Sequence, residues 1–215
     1  ESTAVNYGGY EYAVVGIGTQ CWFKENLRVT TYRNGDAILN LQDPVEWSNT
    51  NSGAYVAVLN DNALATEFGY LYNGMAVTDS PGLCPVGWHV ATDEEWKTME
   101  SFLGVPFLEL DLTGLRGEAE GVGEAMRMDY PNDAWYGTNT SGFSGWPGGF
   151  REGQGYFSEP GFNGRWWAPS ENGSWYSHRE LDIGVSGVIR EDYVDPRQGL
   201  SVRCLRSNLG CTNSN

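Results

Sequence analysis

The groups in this chain that could do chemistry are its histidines, carboxylates, cysteines and aromatic rings, and their spacing narrows what that chemistry can be. The two histidines, His89 and His178, stand far apart with no His-Glu-x-x-His frame, so they make a poor zinc site. His89 sits between Trp88 and Val90, just ahead of a helix-start signal, where a hydrogen-bonded structural role is expected. No Gly-x-Ser-x-Gly frame surrounds a serine, and Ser144-Gly145 does not supply one. Carboxylate pairs could hydrolyse glycosides. Among 28 Asp and Glu residues, however, such pairs arise by coincidence and single out nothing. Catalysis ranks last on these grounds, and the chain is read as a non-enzyme.

Calcium asks for several carboxylate and carbonyl oxygens. Asp129, Asn132 and Asp133 cluster within 128–133 and form the candidate metal set; Asn60, Asp61 and Asn62 form a second group. Neither follows the EF-hand spacing, so plain polar turns compete with calcium, and no other cofactor is expected.

The aromatics are the stronger candidates. A sugar-binding surface offers flat rings for stacking, rimmed by polar side chains that bond hydroxyls. Segment 166–179 has that composition, with Trp167, Glu171, Asn172, Trp175, Tyr176 and Arg179 as candidate ligand-binding residues. Trp135, Tyr136, Trp146 and Tyr156 join them, because Gly-rich surroundings favour exposed loops for these rings and for Trp175. Trp22, Trp88 and Trp96 are assigned to the core. If 166–167 lies in an alternating strand, one of the two tryptophans points inward.

Composition sets the frame for these groups. The formal charge is −15, which repels nucleic acid and anionic membranes. No apolar run approaches the length of about 18 residues that spans a bilayer. The 29 glycines, 12 tyrosines and 9 tryptophans suit a loop-rich fold of short strands with an aromatic core. The chain starts at Glu1 with no signal-like run ahead of it, and is read as an exported protein whose signal peptide has been removed. Cys21, Cys84, Cys204 and Cys211 form no Cys-x-x-Cys pair, so an even count points to disulfides. Three pairings are open. Cys21–Cys84 with Cys204–Cys211 is expected, the second closing a short loop that ties down the tail.

The elements that must position these groups are short. Strands are expected over 10–18 and 20–23, and Arg33-Asn34-Gly35-Asp36 signals a turn. A helical turn is expected near Val45 to Trp47. The clearest helix starts at Thr92, whose capping box runs to Glu95, with Trp96, Met99 and Leu103 on one face and Gly104 closing it. A weaker helix covers 123–128. From Ser141 onward, short aromatic runs alternate with Gly, Asn and Ser and read as hairpins, and 184–190 and 199–205 are the final strands. One domain, 1–206, with a tail at 207–215, is the simplest organisation.

Several of these stretches, taken in order, resemble one family. They are the run 17–27 (Ile-Gly-Thr-Gln-Cys-Trp-Phe-Lys-Glu-Asn-Leu), Tyr32 to Asp36, Gly69-Tyr70-Leu71-Tyr72-Asn73, and Cys84-Pro-Val-Gly-Trp-His-Val-Ala-Thr-Asp-Glu-Glu-Trp96. Later come Ser141-Gly-Phe143, Pro147-Gly-Gly-Phe-Arg151, Trp166-Trp-Ala-Pro-Ser170 and Leu200-Ser-Val-Arg-Cys-Leu205. This set is similar to the Fibrobacter succinogenes major paralogous domain, over roughly 8–206. The resemblance implies an exported or surface protein and an α+β, C-type-lectin-like fold, with short helices around a twisted antiparallel sheet and a long loop-rich second half. Such a fold is shared with formylglycine-generating enzymes, which use a reactive cysteine pair; of Cys204 and Cys211 only Cys204 falls within the resemblance, so oxidase chemistry is not expected. The calcium-binding lectin triplets Glu-Pro-Asn and Gln-Pro-Asp are absent from both acidic clusters. Phe23 stands where the family often has Met.

The expected function is therefore recognition or adhesion outside the cell, with a glycan or a surface protein as partner, bound through aromatic loops of the second half. The runner-up is a structural subunit of an extracellular assembly that associates with its own copies.

Overall fold

Tyr7 and Tyr10 flank a Gly8-Gly9 pair in which both glycines have positive φ, the geometry that turns a chain back on itself without a side-chain clash. The result is the hairpin of β1 (Ala4–Tyr7) and β2 (Tyr10–Ile17). A second turn at Gly18 leads into β3 (Gln20–Phe23). The computed structural model describes residues 4–129, 134–170, 176–207 and 211.

The chain continues through β4 (Leu39–Asn40), α1 (Pro44–Asn49), β5 (Ala54–Ala57), α2 (Ala65–Phe68), β6 (Tyr70–Asn73), α3 (Gly74–Thr78) and β7 (His89–Val90). Next come α4 (Asp93–Leu103), β8 (Gly114–Arg116), α5 (Val122–Met126), β9 (Phe150–Arg151) and β10 (Phe157–Ser158). The last strands are β11 (Asn163–Trp167), β12 (Ser177–Asp182), β13 (Val188–Asp192), β14 (Gly199–Leu200) and β15 (Cys204–Ser207). They form three sheets, ordered β1-β2-β3-β15-β7, β10-β9-β14-β6-β5-β4 and β11-β12-β13-β8. Among the described residues every strand pairing is antiparallel except β4 with β5. The protein is thus β-rich with a few short helices, built on several small sheets where a single twisted sheet was expected.

The expected elements recur with shifted ends. Residues 184–190 do not begin a strand at Gly184, because Gly184 N–H donates to the Asp182 side chain in a turn and pairing starts at Val188. The expected strand 199–205 splits into β14 and β15. Its first part pairs with β6 and β9, and its second part crosses to β3 and β7. The helix at 123–128 is α5, ending at Met126.

Helix α4 follows its local code closely. The Thr92 hydroxyl accepts from Glu95 N–H, and the Glu95 carboxylate accepts from Thr92 N–H at 2.9 Å. Gly104 closes the helix in the left-handed conformation at φ 116°, where glycine escapes the penalty other residues carry. Trp96 and Met99 are buried and meet Trp22, Phe143 and Trp166 in one apolar cluster. A second cluster gathers Phe23, Tyr72, Trp88, Phe150 and Trp167.

β11 lies between these clusters, so both of its faces are covered. Trp166 enters one cluster and Trp167 the other, which corrects the expectation that Trp167 could meet ligand. Its indole N–H donates to the Tyr72 carbonyl at 2.7 Å.

The disulfides are Cys21–Cys211 and Cys84–Cys204, with Cα–Cα distances of 5.6 and 5.8 Å. This overturns the expected Cys21–Cys84 and Cys204–Cys211 pairing. β15 sits between β3 and β7, so Cys204 pairs with Val90 across the strands, close to the chain that carries Cys84. Arg206, two residues further on, lies opposite Cys21, which brings the following tail to that cysteine.

Candidate functional site

Among the described residues, a concavity lies where β7, α3 and the 169–170 segment meet, a cleft of about 420 Å3. Val77, Leu83, Val90 and Pro169 supply an apolar floor, and Arg33, Thr78, His89, Thr92 and Ser170 supply hydrogen-bonding groups. Each polar group is held by the local fold. The 33–36 turn, closed by Tyr32 N–H donating to Asp36 at 2.8 Å, places Arg33 against the chain beyond Cys84. Arg33 donates to the Cys84 and Trp88 carbonyls at 2.6 and 3.1 Å. His89 Nε2 meets the Glu95 carboxylate at 2.7 and 2.8 Å. Burial would raise the Glu95 carboxyl, but its bonds to His89 and Thr92 hold it below its ordinary range. His89 thus buttresses the start of α4, the structural role expected for it, while its ring stays exposed toward the cleft.

Of the candidate ligand-binding residues that are described, Tyr176 is joined to this cleft. Its hydroxyl shares a hydrogen bond with Thr78 Oγ1 at 3.0 Å, and its ring packs 5.6 Å from Trp167. Glu171, Asn172 and Trp175 lie outside the described residues, between Ser170 on the cleft wall and Tyr176. Tyr136 and Tyr156 are exposed, as expected, and Trp146 is half-buried.

Trp135 is a correction: it is buried, donates to the Gly145 carbonyl at 2.8 Å and lies under Arg127. Arg179 is another. It is fully buried and bonded to Asp93 and Glu100, so it can bind no ligand. In the calcium set, Asp129 is exposed, while Asn132 and Asp133 lie outside the described residues. The described residues hold no group of three or more His, Cys, Asp or Glu that could take a metal.

A family model described as the Fibrobacter succinogenes major domain matches residues 15–206. The chain belongs to this family. No curated protein and no solved structure matches it. The geometry shows what the major-domain motifs do. Asn26, from the first of them, accepts at Oδ1 from Trp166 Nε1 and from Arg203 Nε, each at 2.7 Å. Asp93 N–H donates to the Pro169 carbonyl, Ala91 N–H to Arg203, and Trp167 N–H to Ser201. The motifs therefore brace one another around a shared interior, and the cleft opens at the edge of that frame.

Arg203 is the clearest buried member of the major-domain frame. It donates to Asn26 Oδ1 and to the Phe23, Phe143 and Ser144 carbonyls. Burial pushes its basicity down to about 9, and the charge of Glu25 offsets this only in part. Arg151 works the same way, holding the Leu41, Gln42 and Gly155 carbonyls over the Trp47 ring. Each long fork satisfies carbonyls that the short strands leave unpaired.

His178 carries a pH consequence. It is buried on β12, with Nε2 3.7 Å from Glu180 on the same strand, Arg165 on β11 and Glu191 on β13. Burial lowers its basicity, and Glu180 offsets this only in part. The unfolded chain, whose histidine titrates near 6.5, then holds more protons as pH falls. Stability is full above that value and declines below it, by at most about 1.4 kcal/mol per pH unit for one proton. Urea midpoints between pH 7.5 and 5.5 should fall less steeply in His178→Gln than in the wild type. Parallel curves would show that His178 does not take up the proton.

Proposed function

We propose that this chain is an exported recognition module of C-type-lectin-like fold that binds a carbohydrate and catalyses no reaction. The observation that carries the reading is the cleft of about 420 Å3, where an apolar floor meets Arg33, Thr78, His89 and Ser170. A few polar groups converging on apolar walls suit a polyhydroxylated ring, whose faces are apolar and whose edge bears hydroxyls. The position also agrees with the sequence, since the cleft wall at Ser170 leads into the aromatic stretch that ends at Tyr176. Export is supported by the two disulfides, which persist in oxidising surroundings.

Binding, not turnover, is the function this cleft favours. Among the described residues, the close acid–base pair His89 with Glu95 is committed to capping α4. A glycan array probes the proposal, with Arg33→Ala and Thr78→Val as site variants and Tyr156→Ala as a distant aromatic control. The expected result is binding weakened about tenfold by Arg33→Ala, the size of one lost charged hydrogen bond; because Arg33 also bonds the Cys84 and Trp88 carbonyls, binding is compared at a temperature where melting curves show each variant folded. Binding to no glycan at all, or equal loss in the Tyr156 variant, would sink the cleft reading.

A further inference from the structure

We infer that the groove between α4 and the turn at 107–111 docks a cationic amphipathic segment of a partner protein. Two observations meet there. Phe107 and Leu108 are each 84% exposed, and Phe102, Leu112 and Leu115 are exposed in the same stretch of chain. Contiguous exposed apolar side chains mark interaction surfaces, and Phe107 and Leu110 share one lining here. Phe107 also lines a groove of about 400 Å3 together with Leu110, Thr98, Ser101, Glu94 and Asp111. The site is thus a concave channel with an apolar wall.

The occupant follows from charge. Glu94, Asp111, Glu118 and Glu120 are exposed in this region. From 98 to 126 the sole cation is Arg116, which is buried against Glu100. Lys97 also lines the groove, where it is paired with Glu94 at 2.5 Å, Asp111 at 2.7 Å and Asp93 at 3.6 Å. An apolar wall in a region where exposed acids outnumber the single lysine selects a segment that presents leucine-like anchors and Lys or Arg around them. The same charges disfavour a second copy of this chain, which carries −15 and would bring its own acids against these, and they disfavour anionic lipid.

The test uses the purified chain and three labelled peptides: a leucine–lysine amphipathic helix, its leucine–glutamate counterpart, and an oligolysine of matching charge. Fluorescence anisotropy should show binding of the first alone. The double variant Phe107→Ser, Leu108→Ser should weaken it at least about tenfold, as expected for loss of central anchors. Asp111→Asn should weaken it and reduce its salt dependence, whereas Val86→Ser, an exposed apolar residue elsewhere, should not. The inference is overturned if oligolysine or the leucine–glutamate peptide binds as well, or if the double variant binds undiminished. It is equally overturned if the double variant abolishes self-association seen by light scattering, or co-sedimentation with anionic vesicles, since the surface would then serve a second copy or a membrane.

Discussion

Replacing Glu100 with alanine should destabilise the protein by about 3–5 kcal/mol, the cost of removing one partner from a buried ionic cluster. Glu100 is fully buried on α4 and accepts from Arg116 at 2.9 and 3.0 Å and from Arg179 at 2.6 Å. Truncation leaves two guanidiniums in the interior with no carboxylate between them. Burial already lowers the basicity of Arg116, and Glu100 is what offsets that. About two turns earlier, Asp93 ties the same helix to Arg179 and Arg190. Burial would raise the Asp93 carboxyl, yet Arg190 and Arg179 override it and hold it at about 2. The lowered value adds stability that is full above about pH 4 and fades as pH falls through the folded-state value. Urea midpoints at pH 7 with an unchanged dependence on denaturant measure the loss. A Glu100→Ala cost below about 1 kcal/mol would mean the cluster contributes little. An apolar replacement of Glu100, Arg116 and Arg179 together should recover much of the loss, because the penalty lies in the unpaired charge.

That cluster shows where the sequence stopped being readable. The ends of α4 were legible because a capping box and a terminal glycine act within a few residues. Asp93 then reads as a surface acid suited to the helix dipole, and only Arg179 and Arg190, more than eighty positions away, turn it into a buried hub. Glu100 did leave a trace, since it falls four residues after Trp96 on the apolar face, where an acid needs a buried partner. The aromatic surface was misread for a related reason. Glycines around Trp135 suggested a loose loop, but a loop can also fold its ring inward when a carbonyl such as that of Gly145 accepts the indole N–H. Alternation predicted one buried tryptophan at 166–167, which holds for a sheet with one wet face and fails for β11, covered on both.

The same distance effect separates the candidate site from the residues first assigned to it. Arg33, His89 and Ser170 come from three segments whose adjacency is set by the order β3-β15-β7 and by the 169–170 crossover. None carries a local motif for binding. Tyr176 was found because composition pointed to its stretch, and it reaches the cleft through a single hydroxyl contact with Thr78.

The second large effect concerns the disulfides. Changing Cys84 and Cys204 together to serine should lower stability by about 2–5 kcal/mol. The bond closes a sequence separation of 120 residues, and in the chain-entropy view a loop that long strongly restricts the unfolded chain. Both cysteines are fully buried, so two hydroxyls would also replace apolar sulfur in the core. The Cys21–Cys211 bond spans 190 residues but ties only the tail beyond β15 to β3. With Cys84–Cys204 intact, it constrains the chain through the segments 21–84 and 204–211. Its loss should therefore leave the cleft and its ligand binding in place while lowering the melting temperature. Non-reducing peptide mapping should recover both pairs, and recovery of a Cys21–Cys84 peptide would reject this arrangement of β15. Melting curves with and without reductant then weigh the two bonds. A Cys84→Ser, Cys204→Ser variant as stable as the wild type would show that the β7–β15 contact holds without its covalent link.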